Sequence, residues 1–284
     1  MPRRHVLTDR QRSALFDLPT DEVDLLRHCT LADDDLEHIR VRRRPQNRLG
    51  FALQLCAFRY PGRLLHAGEV IPSGMLDFIG AQIGVQAHDL ESYAVREETR
   101  REHLQSLRAI YGYRMFAGRR AVEMTMWLER EAEEARSSEN IARRFVEECR
   151  RTRTILPGVS RVERLCADAL VAAERRIEAR IADRLDEAMR AKLDALLTET
   201  IDDKVSRFIW LRRFEVGKNS ADMNRLLERL EFLQKIGVNA DCLADIAPHR
   251  IIQLRRQGER YFTDGLQDIS GDRRLAILAV CAVE

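Results

Sequence analysis

The chain has 284 residues, 45% of them apolar and 33% charged, and its 48 basic and 46 acidic residues leave a net charge of only +2. That length holds two domains of ordinary size, and the near balance of charge excludes a bulk polycation, so any positive surface has to be local. Few Gly, Pro or aromatic residues, no apolar run of bilayer-spanning length and six cysteines scattered without a CxxC pair point to a mostly α-helical, cytosolic protein with reduced, packed thiols.

Short helices open the chain. Thr8 and Thr20 are read as caps, and Asp33, Asp34 and Asp35 place acid in the first turn of a helix reaching about Arg40. Pro45 fits the first turn of a longer helix that stops before Pro61-Gly62, with Leu49, Leu53, Cys56 and Tyr60 as its apolar pattern. A helix from Pro72-Ser73 ends near Gly84. The Tyr93–Tyr111 stretch is amphipathic, with Leu104, Leu107, Ile110 and Tyr111 on one side and Arg101, Gln105 and Arg108 on the other.

Helices over about 119–136 and 139–151 follow, and Pro157-Gly158 marks a domain boundary, separating residues 1–156 from a second helical domain over 159–284. No Gly or Pro then occurs until Gly217, and if one helix runs continuously to Leu197 it is about 57 Å long at a rise of 1.5 Å per residue. Thr200 and Asp203 resemble a capping signal that restarts the chain in a new helix. Further helices are expected over about 220–236, 248–261 and from Gly271 onward, the last still apolar at the end of the sequence, as in a fragment of something larger.

The strongest local signal is the stretch from His38 to Gly68, which holds Arg40, Arg42, Arg43, Arg44, Arg48, Arg59 and Arg63 and no acid. A helix to Arg40, a turn over 41–44 and a helix from Pro45 have the size of a helix-turn-helix. In that geometry Gln46, Asn47, Arg48 and Gln54 fall near base edges and Arg42, Arg43 and Arg44 near phosphates. The same arginines also fit a solvated or protein-binding face, since the chain holds 44 arginines against four lysines. A second basic surface is formed by Arg96, Arg100, Arg101, Arg108, Arg114, Arg119 and Arg120, offset by Glu97, Glu98 and Glu102.

Other chemistry has weaker signals. Asp33–Asp35 and Asp202-Asp203 are the visible acid clusters for a metal-dependent nuclease, but their places at helix starts favour capping. His28, Cys29 and His38 lack a fourth zinc ligand at a recognised spacing, and there is no phosphate-binding glycine loop, nucleophile elbow or dinucleotide fingerprint. No cofactor is expected. The long alanine-rich helix fits either a coiled-coil dimer stem or packing within one chain.

The strings Leu7-Thr8-Asp9-Arg10-Gln11, Leu31 to Leu36, Arg48-Leu49-Gly50-Phe51-Ala52-Leu53-Gln54-Leu55-Cys56 with Arg59 to Arg63, Tyr93 to His103, Tyr111-Gly112-Tyr113 and Arg273 to Leu278 resemble the N-terminal region of Tn3-family transposases. The similarity runs over essentially the whole chain in order. It implies helical domains that recognise the terminal inverted repeats of a transposon in double-stranded DNA, within a transposase that acts as a possible homodimer and is not a membrane protein. The family's acidic triad lies toward the C-terminus in an RNase H-like domain, and no position here matches it. The resemblance therefore implies a fragment that binds DNA and cuts nothing; the long alanine-rich helix motivates the alternative, a helical scaffold that assembles the transposase with DNA contacts supplied by other regions.

Overall fold

The computed structural model describes residues 7–93, 97–201, 205–213 and 219–283. Fifteen α-helices carry most of them: α1 (Asp9–Phe16), α2 (Glu22–Cys29), α3 (Asp33–Arg40), α4 (Pro45–Arg59), α5 (Ser73–Ile83), α6 (Glu97–Tyr111), α7 (Gly118–Glu134), α8 (Ser138–Arg151), α9 (Val159–Asp183), α10 (Glu187–Thr198), α11 (Arg207–Leu211), α12 (Ser220–Ile236), α13 (Pro248–Arg260), α14 (Thr263–Gln267) and α15 (Gly271–Val283). The all-α expectation holds. Two short strand pairs are added to it, parallel β1 (Arg114–Met115) with β2 (Thr154–Ile155), and antiparallel β3 (Thr200–Ile201) with β4 (Val205–Ser206). The chain divides into two compact units, Met1–Ala169 and Leu170–Glu284, so the division falls within α9, downstream of Pro157-Gly158.

The first unit is built around α4. Pro45 occupies its first turn, where a missing N–H costs nothing, and every residue from Leu49 to Phe58 is buried. The apolar pattern anticipated a stripe on one side, but a helix apolar all round is enclosed all round. Helices α2, α3, α5 and α6 and a 3-10 turn over Ala87–Ser92 surround it. Fully burying side chains the size of Phe51, Leu53 and Phe58 contributes about 1.5–3 kcal/mol each.

Caps set several of the boundaries. Thr8 and Gln11 form a reciprocal capping box on α1, whereas α2 is capped by Asp21 and not by Thr20. Asp35 turns back to accept from the Ala32 amide at 2.8 Å. At the other end of α5, Gly84 adopts the left-handed conformation and lets Val85 return to the Gly80 carbonyl at 3.0 Å. That return leaves no room at Gly80, where a Cβ would stand 2.5 Å from the Val85 carbonyl oxygen. Gly80→Ala is accordingly expected to destabilise the first unit by about 1–3 kcal/mol, read from the midpoint of chemical denaturation.

The second unit has α15 at its centre, with Leu275 to Val280 buried against α13 and α10. The single long helix anticipated through Leu197 is broken. Asp186 caps a new helix by accepting from the Met189 amide at 2.7 Å, and Arg190 closes the end of α9 by donating to the Leu185 and Ala182 carbonyls at 3.0 and 2.8 Å. Thr200 begins a strand instead of capping a helix; the cap of α11 is Ser206, whose hydroxyl accepts from the Ile209 amide. Asp202 and Asp203 lie outside the described residues.

Candidate nucleic-acid interface

Helix α3, the turn over residues 41–44 and α4 stand where the sequence placed a helix-turn-helix, and the structure sorts the candidate side chains by where they point. Arg43 and Arg44 are exposed, and Gln46 and Asn47 are half-buried on the first turn of α4. Arg42 turns inward: its guanidinium lies 4.4 Å above the Phe51 ring and donates to the Ser106 hydroxyl at 2.7 Å. Arg48 donates through Nε to the Arg42 carbonyl at 2.8 Å and so braces the turn. These three contacts fix the turn against α4 and α6.

Beneath Phe51 lies His103, the inward residue of α6 that the sequence pattern passed over. It is 4% exposed, meets the Phe51 ring edge-on at 5.3 Å and has its Nδ1 3.1 Å from the Tyr93 hydroxyl. Burial, with a smaller contribution from the Arg42 charge, pulls its pKa down to about 4, so the imidazole is neutral at physiological pH. A histidine that holds its proton less tightly when folded makes the unfolded chain the better proton binder between about pH 4 and the ordinary value of 6.5. Stability of the first unit should therefore fall as pH drops through that window. His103→Gln should flatten this part of the profile, measured by denaturation at pH 7 and pH 5.

The remaining predicted arginines divide between core and surface. Gln54 is buried and accepts from the Leu65 amide at 3.3 Å, which withdraws it from the base edges. Arg59 pairs with buried Asp35 at 2.7 and 2.8 Å. Arg63 donates to the Phe16 carbonyl at 2.8 Å and pairs with Glu69, and Arg100 donates to the Leu65 carbonyl. On the surface are Arg101, Arg108 and Arg114, and Arg119, whose side chain is 93% exposed and pairs with Glu123. Arg120 is held by the Thr154 hydroxyl, and Arg96 lies outside the described residues.

Ser106 ties the turn to the middle of α6. Its hydrogen bond to Arg42 brings the middle of α6 to the turn, near exposed Arg43 and Arg44, while Gln105 and Arg108 beside it on α6 stay exposed and Glu102 lies a turn earlier. Ile110, expected inward, is 38% exposed.

The acid and metal candidates have structural occupations. Asp35 is buried in the cap and ion pair just described, and Asp33 and Asp34 fill the first turn of α3. His28 stacks on Tyr60 with ring centroids 4.4 Å apart, and His38 meets the Tyr111 ring edge-on at 6.0 Å. Among the described residues no three His, Cys, Asp or Glu side chains come together to hold a metal ion, and no helix is long and apolar enough to cross a membrane.

The helix-turn-helix unit and its surrounding helices fall within residues 6–169, which match the family model described as "Domain of unknown function (DUF4158)". The chain belongs to this family. Relatives of the DUF4158 chain include the transposase for transposon Tn21 of Escherichia coli, 35% identical over 100% of this chain and 29% of its own length. The transposase for transposon Tn501 of Pseudomonas aeruginosa is 33% identical over 100% of this chain and 29% of its own. That for transposon Tn1546 of Enterococcus faecium is 29% identical over 98% and 28%. The chain thus spans under a third of the length of the transposases it matches, which bear out the resemblance to Tn3-family transposases.

Proposed function

We propose that this chain binds double-stranded DNA at the terminal inverted repeats of a Tn3-type transposon, as the recognition part of a transposase whose cleavage chemistry lies outside these residues. The observation that carries it is the turn of the helix-turn-helix. Arg43 and Arg44 are left outside while Arg42 and Arg48 hold the backbone beneath them, and Gln46 and Asn47 follow at the start of α4. Docked with that helix end in a major groove, the two arginines meet phosphates and the two amides meet base edges, adenine being the base that a Gln or Asn pairs with bidentately. Arg101 and Arg108 on α6 are exposed as well. Hydroxyl-radical footprinting on a transposon end tests this: protection confined to the inverted repeat supports it, and uniform protection of any duplex refutes it.

A second reading rests on α12. Met223, Leu226, Leu227 and Leu230 recur at helical spacing and are each 47–58% exposed, an apolar face suited to helix pairing within an assembled transposase. Light scattering separates the two, since a scaffold self-associates without DNA and a recognition module need not.

A further inference from the structure

One turn further along α4, on the face that carries Gln46 and Asn47, positions 50, 53 and 54 border a cavity of about 570 Å³. That volume lies within the range of small-molecule sites. It is lined by Gly50, Leu53 and Gln54 of α4 and by Tyr93, whose ring lies against Gly50. Gly50 is required for that approach, since a Cβ there would stand 2.2 Å from the Tyr93 ring. The Tyr93 hydroxyl is directed to His103, on which the ring also stacks with centroids 5.7 Å apart, so the tyrosine borders the cavity with its polar end bonded elsewhere.

Gln54 is the residue this arrangement leaves unsatisfied. It is 6% exposed, its Oε1 is used by the Leu65 amide, and its Nε2 finds no acceptor among the described residues. A buried amide donor without an acceptor is costly, and native proteins keep few of them without a purpose. Around the mouth stand the exposed imidazoles of His66 and His88, with the Arg100 guanidinium beside them.

We propose that this cavity takes a nucleobase. The Gln54 amide donates to a ring nitrogen or carbonyl of the base, the Tyr93 ring packs against the heterocycle, and His66, His88 and Arg100 face the sugar and phosphate at the mouth. The base has two possible sources with the same chemistry. It is either extruded from DNA bound by the neighbouring start of α4, which rests on the function proposed above, or carried by a free nucleotide. Extrusion costs unstacking, which is smallest where the base is mismatched.

The test walks 2-aminopurine through a transposon-end duplex and reads its emission with the wild-type chain, Gln54→Glu and Ala87→Trp. Gln54→Glu keeps an acceptor for the Leu65 amide and removes the donor; Ala87→Trp fills the cavity from its rim without touching α4. A second arm titrates adenosine monophosphate into the protein alone. A several-fold rise in emission at one position, lost in Ala87→Trp while duplex affinity is kept, supports an extruded base. Nucleotide binding lost in Ala87→Trp, with no emission change, supports the free source. Specific duplex binding with neither signal, or signals unchanged in both variants, overturns the cavity proposal and leaves the DNA-binding proposal standing. Absence of specific duplex binding overturns the latter, and the nucleotide arm then decides the cavity alone.

Discussion

Arg59→Ala should destabilise the first unit by about 3–5 kcal/mol, the cost of stranding one member of a buried ion pair. In the pair one Arg59 nitrogen, Nη2, donates to both Asp35 oxygens, and the partners are unequal in exposure: the Arg59 side chain keeps 29% of its surface, while that of Asp35 keeps 3%. Removing the arginine therefore leaves a carboxylate in the core, supported among the described residues by the Tyr111 hydroxyl at 2.9 Å and the Ala32 amide. Burial alone would raise the Asp35 pKa, but the hydrogen bonds from Arg59, Ala32 and Tyr111 and the Arg59 charge hold it below the usual carboxylate range. The pair's stabilisation is thus present above the unfolded-state pKa of about 3.9 and lost as pH falls through the lower folded value. Two comparisons sharpen the expectation. Asp35→Asn in the Arg59→Ala background should recover part of the lost stability, because no charge is then stranded. A variant that loses DNA affinity with an unchanged denaturation midpoint would instead make Arg59 a phosphate contact and contradict its place in the core.

The second large effect is on binding. Arg43→Ala with Arg44→Ala should leave the denaturation midpoint unchanged, since both side chains are exposed at the turn. Affinity for the transposon end should fall at every sequence tested, and the slope of log K against log salt should become shallower by about 1.8, or 0.9 for each phosphate contact removed. Gln46→Ala and Asn47→Ala should behave differently, weakening cognate DNA more than scrambled DNA with little change in the salt slope. An unchanged slope in the arginine double variant would move the phosphate contacts elsewhere on the surface.

How much of this was legible in the sequence differs by residue. The α3–turn–α4 unit was, because acids at Asp33–Asp35 and proline at Pro45 are local signals that act through the adjacent backbone. The inward turn of Arg42, Arg59, Arg63 and Arg100 was not, because their partners are Ser106, Asp35, the Phe16 carbonyl and the Leu65 carbonyl, brought near only by folding. An acid-free stretch in sequence is therefore not acid-free in space: Asp35 and Glu69 flank it along the chain and neutralise two of its arginines from within the fold. The run Leu49 to Phe58 does signal enclosure, being apolar apart from Gln54, whereas Leu49, Leu53, Cys56 and Tyr60 taken alone mark only a stripe. The break between α9 and α10 carried a local signal in Asp186-Glu187, a cap followed by acid, that the absence of Gly and Pro obscured.

In the proposed function the surface around the α3–α4 turn distinguishes one DNA sequence from others. The most direct measurement is a competition at physiological salt, in which the chain bound to a labelled transposon end is challenged with unlabelled cognate or scrambled duplex. Recognition predicts that scrambled duplex competes at least about 1,000-fold more weakly, the lower bound of the usual ratio between specific and non-specific binding. Equal competition by the two duplexes would contradict it.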